Sequence, residues 1–340
     1  MRSVQIHGVN DVRIDDIPRP QVGPGDVLVK VRACGICGTD LAFIKLGATR
    51  DGEPMPLGHE AAGDIVAMGD AVSGLDLGQR VAINPMGMSD NVIGNGGSEG
   101  AFGDYLLVRN ARAGHSLMAI PDDLPYQLAA LVEPLGVALH AVNRAAATPQ
   151  SSVVVFGAGP IGLGVVFWLK QLGVASIVAV DLTESRLERA RALGAHHTLV
   201  AGREDLFAAL HQRHGPATVL GAPAVGTDIF IDAAGVGAVI TEVIEVAKSN
   251  ARLVVVAAHH EPVVVDFGLM LRKEMQIIMS MGYPDELPRV LDTVARERDK
   301  LSAMISHSFG FDQFFTALET ARSPADAAKV MVTFADGAGH

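Results

Sequence analysis

The sequence predicts an α/β protein of two domains, one β-rich and one built on a doubly wound parallel sheet. The length of 340 residues is sufficient for two hydrophobic cores, and 49% hydrophobic with 19% charged residues is typical of a compact globular chain. Up to residue 146, short β-branched segments are separated by glycine turns, whereas from Ser152 strands alternate with helical segments. Such alternation indicates βαβ units and therefore a parallel sheet.

The β-rich domain is predicted over residues 1–146, and the chain is expected to return to it over 284–340. Its strands are assigned where β-branched residues follow glycine-containing turns. The predicted strands are 27–33, 64–67 and 80–83. Helices are expected in the C-terminal part over 287–297 and 311–321. We therefore expect both ends of the chain to build this domain.

The parallel sheet is predicted over residues 147–283. Its strands are 152–156, 176–181, 228–232, 252–257 and 275–281. Helices over 160–172 and 183–193 are each followed by a glycine, the residue that most often ends a helix. Met275, Met279 and Met281 in the last strand are expected in the core.

The charge balance restricts the kind of partner. With 38 acidic and 27 basic residues the formal charge is -11, which provides no basic surface for nucleic acid or anionic lipid. The N-terminal residues lack the apolar run of a signal peptide, and the longest apolar stretches are too short to span a membrane. The sequence therefore predicts a cytoplasmic protein with a small-molecule partner.

Residue types that bind metals occur in three short segments of the first domain. Cys37, the pair His59-Glu60, and Glu133 offer a thiolate, an imidazole and carboxylates. Such donors hold zinc while leaving one position open, which is typical of a catalytic site. Asp40 is expected to accept a hydrogen bond from the non-ligating nitrogen of His59. Taken singly, each residue has an ordinary alternative: a buried cysteine, a loop histidine, or a glutamate at a helix start.

Cys34 and Cys37 also have the spacing of a redox CxxC motif. A motif of the thioredoxin type opens a helix within a small redox fold. Because this chain is long and cysteine-poor, we keep redox chemistry only as an alternative interpretation.

A glycine-rich turn follows the predicted strand 152–156 and opens a helix. It consists of Gly157, Ala158, Gly159, Pro160, Ile161 and Gly162. In this GxGxxG motif the first glycine allows the tight turn, the second lets the backbone approach a pyrophosphate, and the third permits close helix packing. Asp181 ends the next strand, where a carboxylate binds ribose hydroxyls and favours NAD over NADP, although it could instead cap the next helix. Arg186 is a nearby cation that could tolerate a phosphate.

Two histidines follow the predicted strand 252–257. His259 and His260 would lie at the carboxyl edge of the sheet, where ligands bind in such folds. Contact with the nicotinamide end of a cofactor is one interpretation, and an ordinary loop histidine is the other.

Together these segments resemble the zinc-dependent medium-chain alcohol dehydrogenases, particularly the branch of sorbitol, threonine and butanediol dehydrogenases. The matching segments, in the family's order, are 33–40, 58–63, Gly69, Val72, Gly78, 132–135 and 157–162. The resemblance implies a GroES-like catalytic domain, a Rossmann dinucleotide-binding domain, and NAD-linked oxidation of an alcohol by hydride transfer from a zinc-bound alkoxide. It also implies a homodimer or homotetramer joined through the edge strands of the Rossmann sheets.

The resemblance also assigns roles to individual residues. It implies that Cys37, His59 and Glu133 are zinc ligands, and that Glu60 binds directly or through water when the metal shifts. Thr39 would then take the first step of the proton relay that serves the alcohol.

Two departures from the family pattern change these expectations. Residues 84–97 contain none of the four cysteines that hold a structural zinc in many relatives, so we expect one zinc per chain and a mobile glycine-rich loop. Ala42 stands where relatives often have a histidine that completes the proton relay.

The substrate is predicted from the residues expected near the reacting alcohol. Gly282 aligns with an arginine that holds polyols in sorbitol-type relatives, and the apolar candidates near the substrate are Phe43, Leu46, Met86 and Phe102. We therefore expect a secondary alcohol and its ketone. The alternatives are a diol or polyol, a zinc-free NADPH quinone or enoyl reductase, and a non-catalytic relative.

Overall fold

A computed structural model of the chain describes residues 1–49, 51–87, 92–323 and 327–335. These residues form two compact units. The first contains Met1–Glu133, Leu287–Ser323 and the chain from Lys329 on, and the second contains Pro134–Glu286 with Ala327 and Ala328. The first boundary lies inside the helix Val132–Ala145, upstream of the position expected from the sequence.

The elements follow one another in three groups. The first are β1 (Arg2–Gly8), β2 (Asp11–Asp16), β3 (Val27–Gly35), α1 (Gly38–Leu46), β4 (Met55–Pro56), β5 (Glu60–Met68), β6 (Arg80–Ile83), β7 (Tyr105–Val108), β8 (Leu117–Ala119), α2 (Tyr126–Ala129) and α3 (Val132–Ala145). The next are β9 (Ser152–Phe156), α4 (Pro160–Gln171), β10 (Ser176–Asp181), α5 (Glu184–Leu193), β11 (His197–Val200), α6 (Leu206–His214), β12 (Pro216–Val219), β13 (Ala222–Val225), β14 (Ile229–Asp232), α7 (Gly237–Val246), β15 (Arg252–Val255), α8 (Phe267–Lys273) and β16 (Gln276–Met279). The last are α9 (Leu287–Arg296), α10 (Arg298–Leu301), β17 (Ile305–Gly310), α11 (Phe314–Arg322) and β18 (Lys329–Thr333). Within the described ranges, no helix is long and apolar enough to cross a membrane.

The first unit is built on a sheet with the strand order β17-β18-β3-β5-β6-β8, with β7 also paired to β3. A smaller sheet has the order β2-β1-β4. In the larger sheet Gly35 of β3 lies opposite Glu60 on one side and Met331 on the other. Strand β18, the last strand among the described residues, therefore lies next to the strand that leads into Cys37.

The second unit contains the predicted doubly wound sheet. Its strands run parallel in the order β11-β10-β9-β14-β15-β16, and its core includes Val154, Val178 and Phe230. The predicted fold class is thus confirmed. The order reverses between β9 and β14, and ligands bind at the carboxyl ends of the strands next to such a break.

The sequence analysis missed the antiparallel hairpin of β12 and β13. Its turn places Leu220 at φ 50° and Gly221 at φ 84°, as a tight hairpin turn requires. Leucine is a rare residue at positive φ, so the turn carries no strong sequence signal.

The cysteine-free segment after β6 is held by packing and hydrogen bonds. Asn84 donates to the His115 carbonyl at 3.0 Å, Gly94 N donates to the Glu99 carbonyl at 2.7 Å, and Ile93 is buried. This packing does not support the predicted mobile loop for residues 92–97. Residues 88–91 of the same segment lie outside the described residues.

His214 ends α6 with both ring nitrogens in hydrogen bonds. Nδ1 lies 2.8 Å from Thr227 Oγ1 and Nε2 lies 3.0 Å from Ser176 Oγ. Burial lowers the pKa of His214 from 6.5 to about 4, and nearby cations including Lys248 add to the effect while Asp228 opposes it. The folded state therefore favours the neutral ring.

We expect the protein to lose stability as the pH falls from 6.5 to 4, because the unfolded state takes up a proton that folded His214 resists. With allowance for a partly exposed ring, the loss is about 1–2 kcal/mol. Urea unfolding at a series of pH values measures it. His214→Gln should flatten this dependence, while His211→Gln on the exposed face of the same helix should not. Equal pH dependence in wild type and His214→Gln would contradict the assignment.

Candidate active site

Three of the predicted metal ligands converge in the first unit. One ligand atom from each of Cys37, His59 and Glu60 lies within 4.8 Å of the others. Cys37 caps the N-terminus of α1, and His59 directly precedes β5, which Glu60 opens. A helix start and a strand start thus place the three side chains together.

Asp40 ties together the two backbone segments that carry these ligands. Its Oδ2 accepts a hydrogen bond from Cys37 N at 2.8 Å, and its Oδ1 accepts one from Gly58 N at 3.3 Å. Oδ1 also lies 3.6 Å from Nδ1 of His59, which is longer than a hydrogen bond. Asp40 and His59 are therefore close together, but the predicted hydrogen bond between them is not formed. Because Nδ1 faces Asp40, Nε2 is the nitrogen left for a metal.

The donor set fits a zinc ion. His59 Nδ1 is buried without a hydrogen-bond partner, so the ring is not yet fixed by the protein alone. Burial lowers the pKa of His59, but the charges of Cys37 and Asp40 outweigh it and raise that pKa well above 6.5. The negative charges around His59 therefore favour a bound cation next to these side chains. A thiolate, an imidazole and a carboxylate are the donors that zinc takes in catalytic sites.

Lys329 is the cation that the protein itself supplies. Its Nζ lies 2.6 Å and 2.5 Å from the two carboxylate oxygens of Glu60 and donates to the Ile36 carbonyl at 3.1 Å. The side chains of Lys329 and Glu60 are both 1% exposed. A Cβ at Gly35 would lie 2.1 Å from Glu60 Oε2, so glycine is needed there. Burial lowers the pKa of Lys329, but Glu60 and Cys37 raise it above 10.5.

Glu133 and Thr39, the other two predicted residues of the site, lie in the same unit. Glu133 is buried in the first turn of α3 and is not part of the 4.8 Å group, although its charge helps to raise the pKa of Lys329. The Thr39 hydroxyl lies 3.6 Å from Cys37 Sγ. The ligand role of Glu133 and the relay role of Thr39 stay predictions.

The structure disfavours the redox interpretation of the two cysteines. Both are free thiols, and Cys34 is buried in strand β3, not at the start of a helix. Burial raises the pKa of Cys34 well above 9.0. A thiol that resists ionisation is a poor nucleophile for disulfide exchange.

The glycine-rich turn of the second unit has the geometry of a dinucleotide-binding turn. Gly157 adopts φ 87°, and a Cβ at Gly162 would lie 1.7 Å from the Gly157 carbonyl oxygen. A Cβ at Gly159 would meet no atom within 4 Å, so the backbone there is open to a ligand. Pro160 and Ile161 form the first turn of α4, whose N-terminal amides favour a phosphate.

Asp181 and Arg186 flank this turn. Asp181 Oδ2 accepts a hydrogen bond from Ala158 N at 2.7 Å, and Oδ1 accepts from Thr183 N and Oγ1 at 3.0 and 2.9 Å. The N-cap of α5 is Thr183, so Asp181 does not cap that helix. Arg186 donates from Nε to the Ala327 carbonyl at 2.8 Å, and its NH1 lies 3.9 Å from Asp181.

Comparisons with known proteins agree with this geometry. Residues 23–122 match the alcohol dehydrogenase GroES-like domain, and residues 160–296 match the zinc-binding dehydrogenase domain. The sorbitol dehydrogenase of Bombyx mori is 31% identical over 343 residues, which cover 96% of this chain and 97% of the relative. The chain belongs to the zinc-dependent medium-chain alcohol dehydrogenase family.

Two solved structures of other dehydrogenases have the same fold. The 2R,3R-butanediol dehydrogenase of Bacillus subtilis superposes with a TM-score of 0.85 at 28% identity, covering 98% of this chain and 99% of that one. An alcohol dehydrogenase of Escherichia coli CFT073 in complex with NADH gives a TM-score of 0.86 at 27% identity, with the same coverage. The family assignment made from the sequence is thus confirmed.

The sequence analysis of this alcohol dehydrogenase missed Lys329. The available signal is a lysine within the largely apolar run Ala327 to Phe334. A lysine is rarely buried in a strand without a partner, so this position indicates a buried ion pair. Its partner Glu60 lies 269 residues earlier, so the pairing cannot be inferred from local pattern.

We expect Lys329→Met to lower the free energy of unfolding by about 3–5 kcal/mol, because Glu60 would stay buried without its counter-charge. Urea unfolding of the zinc-loaded protein measures this loss. A double variant with methionine at both positions should recover much of it. Lys248→Met removes a partly exposed ion pair with Asp228 and should cost less than about 1 kcal/mol. A Lys329→Met protein as stable as wild type would contradict the analysis.

Proposed function

We propose that the protein is an NAD-linked zinc dehydrogenase that interconverts a secondary alcohol and its ketone. The observation that carries this proposal is the group formed by half-buried Cys37 and buried His59 and Glu60, in a chain that also has an open dinucleotide-binding turn. When bound, zinc supplies the Lewis acidity that makes an alcohol acidic, and NAD supplies the hydride acceptor.

The residues of the chain have distinct parts in this reaction. Cys37 and His59 would hold the metal, with Glu60 and Glu133 as the candidate carboxylate ligands. Because Lys329 occupies both oxygens of Glu60, Glu133 is favoured as the resting carboxylate ligand. Thr39 would accept the proton that the alcohol releases, since its hydroxyl both accepts and donates hydrogen bonds.

The cofactor is proposed to be NAD. The Asp181 carboxylate would repel a 2′-phosphate, and its three hydrogen bonds leave an acceptor position on Oδ2 for a ribose hydroxyl. Arg186 has one of its donors engaged by the Ala327 carbonyl, which reduces its capacity to hold a phosphate.

Different observations support the two candidate substrate classes, an apolar secondary alcohol and a diol or polyol. Phe43 is half-buried and Met86 is exposed, so both stay candidates for contact with an apolar alcohol. Phe102 is buried and packs on Phe314, and a Cβ at Gly58 would lie 2.7 Å from its ring, so its place near the substrate stays a prediction. The similarity to sorbitol and butanediol dehydrogenases favours a diol or polyol as the second candidate.

Initial rates of NAD reduction over secondary alcohols, diols, polyols and threonine test the proposal. We expect turnover that disappears on chelation, returns with added zinc, and accompanies one zinc per chain by metal analysis. A polyol that reacts faster than every monofunctional secondary alcohol would select the second candidate. Rates unaffected by chelation would contradict a zinc enzyme, and two tightly held zinc ions would contradict the single site.

A homo-oligomer is proposed from the edge of the second unit. Strand β16 pairs only with β15 among the described residues, and apolar side chains near it are exposed. They are Val264, Phe267, Leu271, Met279 and Met281. The prediction that Met279 and Met281 lie in the core is therefore wrong for a single chain. An unpaired edge with exposed apolar residues favours pairing with a second copy. The cytoplasmic location stays a prediction.

Met281 is 86% exposed, so its replacement should not disturb the fold of one chain. We expect Met281→Asp to convert the oligomer to monomers, because the charge would be buried at the interface without a partner. Sedimentation velocity measures the state. Leu220→Asp, at the exposed turn of the β12–β13 hairpin, is the matched control and should leave the oligomer intact. An unchanged sedimentation coefficient for Met281→Asp would place the interface elsewhere.

A further inference from the structure

Two loops adjoin at the carboxyl ends of β14 and β15. A Cβ at Gly235 would lie 2.7 Å from the Ala258 carbonyl oxygen, and one at Gly237 would lie 3.4 Å from a methyl group of Val263. The loops line a depression of about 310 Å³. Its lining residues are 235–237 and 259–263. Two strand ends thus build one concave site.

This depression lies on the nicotinamide side of the sheet break. The dinucleotide-binding turn contacts the same loop, since a Cβ at Gly157 would lie 2.9 Å from Ala233 C and 3.0 Å from Ala234 Cα. In a doubly wound sheet each half binds one mononucleotide. Asp181, at the end of β10, lies in the half of the sheet that would bind the adenosine part of the cofactor. The ends of β14 and β15 are therefore left for the nicotinamide part.

A buried carboxylate holds His259 in this site. Asp232 is fully buried, and its Oδ1 accepts hydrogen bonds from Ala234 N at 2.9 Å and Gly235 N at 3.0 Å. Its Oδ2 lies 2.7 Å from Nε2 of His259. Since the carboxylate accepts, the hydrogen bond places a proton on Nε2 of His259, and Nδ1 is the ring nitrogen left as an acceptor in that tautomer.

We propose that His259 is a positioning residue for the nicotinamide riboside half of NAD, and that Asp232 fixes the tautomer it needs. Nδ1 accepts a hydrogen bond from that half, either from a ribose hydroxyl or from the carboxamide NH₂. A neutral acceptor suits both groups, because each offers a donor without charge. The inference rests on the proposed NAD-linked function and adds a residue to it.

Binding of NADH, ADP-ribose and AMP to the full zinc-loaded protein, measured by titration calorimetry, tests this role. We expect His259→Ala to raise the Kd for NADH about 3–10-fold, as the loss of one hydrogen bond implies, and to leave the Kd for AMP unchanged. His259→Gln keeps both a donor for Asp232 and an acceptor, so it should recover part of the affinity. A weakened ADP-ribose complex identifies the ribose hydroxyl, and an unchanged one identifies the carboxamide.

His211, exposed on α6 and not part of the lining of the depression, provides the control, since His211→Ala should bind NADH like wild type. Equal NADH affinity in His259→Ala and wild type would overturn the inference and leave the proposed function standing. Equal losses for AMP and NADH would also overturn it, because they indicate a general disturbance. A wild-type protein that binds no NADH would overturn both proposals.

A second measurement needs no variant of uncertain folding. The ¹⁵N chemical shift of Nδ1 in His259 should move when NADH binds to the wild-type protein and should stay in place with AMP. No movement with NADH would overturn the inference.

Discussion

The buried negative charge around Cys37 and Glu60 is the constraint that organises the first unit. Anionic donors that hold a metal must be removed from water, and an uncompensated charge in the interior is costly. Lys329 compensates that charge by contacting both oxygens of Glu60 from β18, on the other side of β3. The strand order around β3 follows from this requirement, because β5 and β18 must flank the strand that leads into Cys37.

The second unit uses carboxylates in a related way. Asp181 and Asp232 end the strands β10 and β14, and each accepts hydrogen bonds from backbone amides of a loop at the ligand-binding edge. Asp40 does the same for the two ligand-bearing segments of the first unit. These buried carboxylates fix the loops so that side chains and amides face a ligand with little reorganisation.

The part of the fold and site that the sequence predicts is the part with local signals. Segments of a few residues are enough to recognise the GxGxxG turn and the strands around it. The same is true of the ligand types at Cys37 and His59. Lys329 acts through Glu60, which is distant in the chain, and Asp232 acts through backbone amides. No short sequence pattern therefore identifies their roles. Met279 and Met281 were misplaced because hydrophobicity alone does not distinguish a core from a surface that a second chain would cover.

The position of β18 also bears on how the protein is made. A chain emerging from the ribosome supplies every strand of the parallel sheet before β17 and β18 of the first unit are made, and Lys329 follows Glu60 by 269 residues. Domains generally fold as units during synthesis. The nascent first unit therefore carries Cys37, His59 and Glu60 before the counter-charge of Lys329 is made, and strand β18 completes the site afterwards.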